Sequence, residues 1–257
     1  MLLEARNLTK DFGRTRAVHN VSINVATDEV VALIGASGSG KTSLLRLLNR
    51  LLEPDQGELL LKGQSSAAIS KPEWRRKIGY AVQGGGLFPH MTVRENVGIT
   101  PKLLGWPERR INDRATELIR LVGLDPAQHL GRYPNQLSGG QRQRVNFARA
   151  LAAEPDLVLL DEPFSALDAV TKNDLLHDLA ALQKSVGFAA VLVTHDLSEA
   201  LRLASRIAVM EAGQIVQIDT PTKLIAEPAT RSIAEMLEAA RNHANELGDA
   251  FETAGQV

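Results

Sequence analysis

Gly35-Ala36-Ser37-Gly38-Ser39-Gly40-Lys41-Thr42-Ser43 is the stretch from which the rest of the chain is read. It follows the apolar run Val30-Val31-Ala32-Leu33-Ile34. It opens a segment with Leu44, Leu45, Leu47, Leu48, Leu51 and Leu52 at helical spacing, which predicts a helix over 43–52 that stops before Pro54. Strand, glycine loop and helix is the order a phosphate-binding loop requires. The glycines let backbone N–H groups turn inward without a Cβ clash. Those donors and the positive end of the helix make a ready anion site. Lys41 can reach terminal phosphates, and Thr42 can offer its hydroxyl to Mg²⁺.

The chain has 257 residues, 44% of them hydrophobic, enough for one large domain or two small ones with a sizeable core. A net charge of −1 gives no global field toward nucleic acid or anionic lipid, and no nucleic-acid partner is expected. With no cysteine, disulfides and thiolate metal sites are excluded, which is compatible with a reducing cytosol. No apolar run approaches the roughly 18 residues that span a bilayer, so a membrane role must come through a partner. The start, Met1-Leu2-Leu3-Glu4, does not read as a signal peptide.

Val21, Ile23 and Val25 alternate with Ser22 and Asn24, the pattern of a half-buried strand. Residues 2–8 are a weaker strand candidate. Lys10-Asp11-Phe12-Gly13 reads as a turn whose Phe12 either stacks on a base or covers a sheet edge. Residues 57–63 and 78–83 read as strands, and the basic Trp74-Arg75-Arg76-Lys77 between them as solvated surface. Gln83 precedes Gly84-Gly85-Gly86, a run that looks like a hinge. Leu87-Phe88-Pro89-His90-Met91 is an apolar loop, either a partner surface or a satellite core.

From Thr92 to Ala153 helical signals dominate, an insertion of about 65 residues. Pro101, Gly105 and Pro107 punctuate its start. Ile111, Ala115, Leu118, Ile119 and Val122 then form a stripe stopped by Gly123. Near its end stands Leu137-Ser138-Gly139-Gly140-Gln141. Ser138 reads as an N-cap, and the start of its helix is either a second anion site or an ordinary cap. Arg142, Arg144 and Arg149 read as solvated or salt-bridged.

Leu157-Val158-Leu159-Leu160-Asp161-Glu162 is a continuous apolar run ending in two acids. Such a run predicts a parallel strand buried on both faces. Its acids would lie in the crevice at the carboxyl end of the sheet. There Asp161 can join a Mg²⁺ shell and Glu162 can polarise a water. Residues 189–193 form a third apolar strand, followed by Thr194 and His195. Alone, His195 is a structural residue; on the same sheet edge it can donate to a phosphate oxygen. A helix over 197–204, a hairpin about Gly213 and a helical tail from Glu227, with Ile233, Met236, Leu237 and Ala240 on one stripe, complete the reading.

Phosphate loop, Gln83, Leu137–Gln141, Asp161-Glu162 and His195, in that order, resemble the nucleotide-binding subunit of an ATP-binding cassette (ABC) transporter. The resemblance implies an α/β fold: a RecA-like P-loop NTPase core with mixed sheet, an N-terminal antiparallel β subdomain and an inserted α-helical subdomain. The core takes residues 1–86 and 154–226, the helical insertion 87–153, and the tail 227–257. The resemblance also implies that ATP and Mg²⁺ are the cofactors. Phe12 would stack on adenine, and Gly35, Ala36, Ser37, Gly38, Ser39, Gly40, Lys41, Thr42 and Ser43 would cradle the phosphates. Thr42, Gln83 and Asp161 would hold Mg²⁺. Glu162 would activate the attacking water and His195 contact the γ-phosphate. Ser138, Gly139, Gly140 and Gln141 would act in trans on the nucleotide of a second copy, with Asp168 bridging the two copies.

The implied partners are that second copy, integral membrane permease subunits and, indirectly, a solute-binding protein. The implied place is the cytoplasmic face of the inner membrane. Residues 86–96 with Pro101-Lys102-Leu103-Leu104-Gly105-Trp106 are similar to importers of quaternary-amine osmoprotectants (glycine betaine, choline, carnitine), with polar amino-acid importers as the nearest competitor. Such subunits often carry a C-terminal pair of CBS domains; the sequence stops too soon for one, so that mode of regulation is not expected. A soluble repair or translation cassette would need a long coiled coil or a second cassette. A small-molecule kinase would have no use for Leu137–Gln141.

Overall fold

The computed structural model describes the backbone of residues 1–254 apart from Gly85 and Ala166, and the side chains apart from those of 185–186, 243–244 and 247–254. The hinge at residues 84–86 and the turn at 165–168 therefore each include one residue outside the described set, and the tail ends three residues beyond it.

β1 (Leu3–Phe12) and β2 (Thr15–Val25) form a hairpin. β3 (Val30–Ile34) runs through the glycine loop into α1 (Lys41–Leu48). β4 (Gln56–Leu61), β5 (Gln64–Ser65), α2 (Lys71–Arg76) and β6 (Ile78–Ala81) follow. The helical stretch comprises α3 (Val93–Leu103), α4 (Glu108–Leu121), α5 (Pro126–His129) and α6 (Gly139–Leu151). Alternation then returns with β7 (Leu157–Asp161), α7 (Ala169–Val186), β8 (Ala189–Val193) and α8 (Leu197–Leu203). β9 (Arg206–Glu211), β10 (Gln214–Asp219), α9 (Pro221–Ala226) and α10 (Arg231–Ala254) close the described chain.

The strands make two sheets. An antiparallel one has the order β2-β1-β4-β5, and a mixed one the order β10-β9-β3-β8-β7-β6. Within the mixed sheet β3, β6, β7, β8 and β9 are parallel, and β10 is an antiparallel edge. Every residue of β3, β7 and β8 is buried, which is why each is an unbroken apolar run. The two faces sort by the period of two. Val31, Leu33, Leu159 and Val191 pack with α1 and the antiparallel sheet, whereas Val158, Leu160 and Leu192 pack with the helical stretch. Ala32 and Ile34 meet Leu224 and Ile233 from α9 and α10.

The structure differs from the sequence expectations at four places. β1 runs on through Lys10, Asp11 and Phe12, so the turn is at Gly13 and Arg14 rather than over 10–13. α1 ends at Leu48, not Leu52, because Arg50 takes a left-handed conformation (φ 53°). There the Arg50 guanidinium donates to the carbonyls of Ser66 and Ile69. α3 begins at a Thr92–Glu95 capping box and carries through Pro101 in its last turn, where the missing N–H removes the helical bond to the Val97 carbonyl without ending the helix. Trp74 is wholly buried, not on a solvated surface, and its indole N–H donates to the Leu48 carbonyl at 3.0 Å.

Candidate functional site

Parallel pairing puts the carboxyl ends of neighbouring strands on one edge. There β3 delivers the glycine loop, β8 leads to His195, β7 ends in Asp161 and is followed by Glu162, and β6 leads to Gln83. Gly35 and Gly40 are fixed by close approach as well as by positive φ (144° and 105°). A Cβ would stand 2.2 Å from the Met210 carbonyl oxygen at the first and 2.3 Å from that of Ala17 at the second. No side chain caps α1, so its first N–H groups are left for a ligand.

Lys41 is buried, and its ammonium donates to the carbonyls of Gly35 and Ala36, both at 2.8 Å. Burial lowers its pKa, against the pull of Glu162 and Asp161. Thr42 donates its hydroxyl to Asp161 Oδ1 at 3.2 Å. Burial raises the Asp161 carboxyl above its ordinary range, opposed by that hydrogen bond and by Arg46. Gln83 Nε2 donates to Glu162 Oε2 at 2.9 Å, and His195 Nδ1 lies 3.6 Å from Glu162 Oε1.

Glu162 is held in a left-handed conformation (φ 47°). For a non-glycine residue this costs on the order of 1–3 kcal/mol, and it persists only where the surroundings over-determine it. The holds are visible. Its N–H donates to the Val193 carbonyl. Its own carbonyl accepts from Ser165 N–H, from Ser165 Oγ and from Gln143 Nε2 at 3.0 Å.

Lys41, Thr42, Gln83, Glu162 and His195 line a cleft of about 610 Å³ with Ser37, Gly38, Gly40 and Ser43, and Asp161 adjoins it through its hydrogen bond with Thr42. The cleft also takes Thr15, Arg16 and Ala17 from β2 and Ala212 and Gly213 from the β9–β10 turn, which the sequence reading missed. The signal for Thr15–Ala17 was position just after Gly13, and for Ala212 and Gly213 their place in the hairpin turn. Phe12 is 47% exposed and pairs across the hairpin with Thr15. The structure does not bring every candidate into this lining: Gly35, Ala36, Ser39, Asp161 and Phe12 adjoin lining residues through the chain, a hydrogen bond or strand pairing, whereas among the described residues Ser138, Gly139, Gly140, Gln141 and Asp168 do not line the cleft. Ser138 caps α6 in a reciprocal box with Gln141, and Asp168 caps α7 through Thr171 N–H. The three arginines of α6 are half-buried, and each donates to backbone carbonyls; among the described residues none is salt-bridged. Arg142 donates to the Leu137 carbonyl, Arg144 to those of Val122 and Gly123, and Arg149 to that of Gly86.

A glycine loop, an acid pair and a histidine on one edge of this sheet define a P-loop NTPase. The chain belongs to the ABC transporter family, whose model matches residues 18–165. It is 44% identical over 237 residues to the glycine betaine/carnitine/choline transport ATP-binding protein OpuCA of Bacillus subtilis, covering 92% of this chain and 62% of that one. It is 47% identical over 236 residues to the spermidine/putrescine import ATP-binding protein PotA of Chromobacterium violaceum, covering 92% and 64%. Among solved structures it resembles the ATP-binding cassette MJ0796, a dimer in a post-hydrolysis state bound to ADP and Pi. The TM-score is 0.79 at 32% identity, covering 85% of this chain and 98% of that one. The chain spans about three fifths of the length of curated relatives it matches.

Proposed function

We propose that this chain is the ATP-hydrolysing subunit of an ABC importer for quaternary-amine osmoprotectants, working as a dimer on a separate membrane permease. The observation that carries hydrolysis is Glu162, hydrogen-bonded to Gln83 and close to His195, beside the phosphate loop. A carboxylate so placed is a base or orienter for water, and the loop and Lys41 supply charge stabilisation for a transferring phosphoryl group. His195 is 66% exposed, free to swing onto a γ-phosphate. Phe12, exposed and paired across the hairpin with the cleft residue Thr15, supplies a face for adenine.

The donor set fits Mg²⁺. The Thr42 hydroxyl and the Asp161 carboxylate are hard oxygens already side by side, and the burial that raises Asp161 is the cost a cation there would offset. Gln83 completes the set. The ion would supply neutralisation of the phosphate oxygens.

Ser138, Gly139, Gly140 and Gln141 stand apart from the cleft, which suits a role on the nucleotide of a second copy related by a two-fold axis, with Asp168 bridging the copies. In this reading residues 1–86 and 154–226 form the core, 87–153 the subdomain that meets the permease, and 227–257 a helical tail. The loop at 87–91, with Phe88 42% exposed, is the permease contact. The subunit sits peripherally on the cytoplasmic face of the membrane; among the described residues no helix is long and apolar enough to cross one. The solute assignment rests on likeness to OpuCA. The 47% identity to PotA favours a second reading, a polyamine importer.

Glu162→Gln tests the core of the proposal. ATP binding should persist, turnover should fall by about 10²–10⁴-fold, and an ATP-bound dimer should accumulate on gel filtration. Turnover at the wild-type rate would remove Glu162 from its role. In vesicles with its permease and binding protein, glycine betaine or choline should raise ATPase activity; spermidine doing so instead would select the second reading.

A further inference from the structure

α6 does more than present Ser138 at its N-terminus. Gln143, Asn146 and Arg149 recur every three residues and share a face. Gln143 and Asn146 are buried, 2% and 0% exposed. Burying two amides is costly unless each finds partners, and a face serving only to pack would be met by leucine. Their partners are backbone carbonyls beside the chemistry. Gln143 Nε2 donates to the carbonyl of Glu162 at 3.0 Å. Asn146 Nδ2 donates to that of Val82, the residue before Gln83, at 2.7 Å. Arg149 donates to the Gly86 carbonyl beyond Gln83 and to Asn146 Oδ1, both at 2.8 Å, which fixes the amide in its donating orientation.

We propose that Gln143 and Asn146 are positioning residues that set Glu162 and Gln83 for hydrolysis in their own subunit, from the helix whose N-terminus serves the nucleotide of the second copy. This rests on the composite-site reading above. Glu162 needs such a hold because its backbone is left-handed, and relaxation there would swing the carboxylate off the water it orients. Val193 lies on the neighbouring strand and Ser165 three residues along the chain; Gln143 alone of the four contacts reaches Glu162 from the helical stretch. Each α6 in the dimer therefore touches both sites, one with its end and the other with its side. Movement of the helix when its N-terminus meets a phosphate reaches Glu162 and Gln83 through two hydrogen bonds.

Gln143→Met keeps the length and apolar bulk of the side chain and leaves the Glu162 carbonyl its two Ser165 donors, so the fold has no orphaned acceptor to absorb. Turnover should fall about tenfold or more, because small displacements of catalytic groups are costly. The KM for ATP should stay within about twofold, the mark of an interaction that matters after binding. Combined with Glu162→Gln, the variant should still form the ATP-bound dimer at the nucleotide concentrations that suffice for Glu162→Gln alone. Asn146→Leu should show the same split. Wild-type turnover in both variants would overturn the proposal. So would parallel loss of turnover and dimer, which would make this face of α6 a scaffold for Ser138. Failure of Glu162→Gln itself to form an ATP-bound dimer would instead overturn the composite-site reading.

Discussion

The chain has two glycine-bearing helix starts, and they are built in opposite ways. α1 is capped by Gly40 in a left-handed conformation, with no side chain on its N–H groups. α6 is capped by Ser138 with an extended backbone; its Oγ accepts from Gln141 N–H, and Gln141 Oε1 accepts from Ser138 N–H. The first start opens into a cleft with a buried lysine beside it. The second is exposed and satisfied by its own side chains, a cap worth about 1 kcal/mol. An anion entering the first displaces little but the carbonyl contacts of Lys41. At the second it must displace part of a capping box. On the composite-site reading proposed above, nucleotide would load at α1 first, and α6 of another copy would join a phosphate already bound.

Lys41→Ala should break the comparison most severely. It removes the charge from the open site and should lower turnover by about 10²–10³-fold, as loss of a charge-stabilising donor does. Fluorescent-nucleotide titration would report the lost affinity, and tight binding retained would move the phosphate site elsewhere. Ser138→Ala should leave binding to the single chain unchanged and weaken the ATP-bound dimer of Glu162→Gln by about fivefold, the scale of one cap. Equal loss in the monomer would mean that Ser138 belongs to the first site. The smallest effect separates the hydroxyl cap of α6 from the carboxylate cap of α7. Thr171 N–H holds the Asp168 carboxyl below its ordinary 3.8. A lowered pKa stabilises the fold above that ordinary value, and the stabilisation is lost as pH falls through the lowered one. An NMR titration should place Asp168 below 3.8 in the folded chain, and the start of α7 should loosen in acid while that of α6 does not.

The sequence showed the central sheet and most of the cleft because those parts obey local rules. β3 and β8 are apolar throughout, and β7 up to its last residue, since both faces are covered; the loop, Glu162 and the histidine each sit one or two residues past a strand end, with Asp161 closing β7. What escaped depends on distant partners or broken periods. β1 is interrupted by a shift in register between Ala5 and Leu8 around left-handed Asn7, which erased the alternation that would have carried the strand to Phe12. Trp74 lies in a six-residue helix, too short to show a stripe, and the charged neighbours Arg75 and Arg76 hid its burial. The carbonyls that receive Arg144 and Arg149 lie about 20 and 60 residues away, and nothing local to an arginine announces them.

The left-handed backbone at Glu162 also bears on how such a chain decays. Glycine relaxes that conformation where other residues keep its strain. Glu162→Gly should therefore unfold at a higher temperature than Glu162→Ala, since the usual entropic handicap of glycine is offset by released strain. In a duplicated gene under no demand for turnover, replacement of the acid by glycine releases that strain. Drift at this position is downhill, and a silent copy could persist as a well-folded partner long after it has ceased to hydrolyse anything.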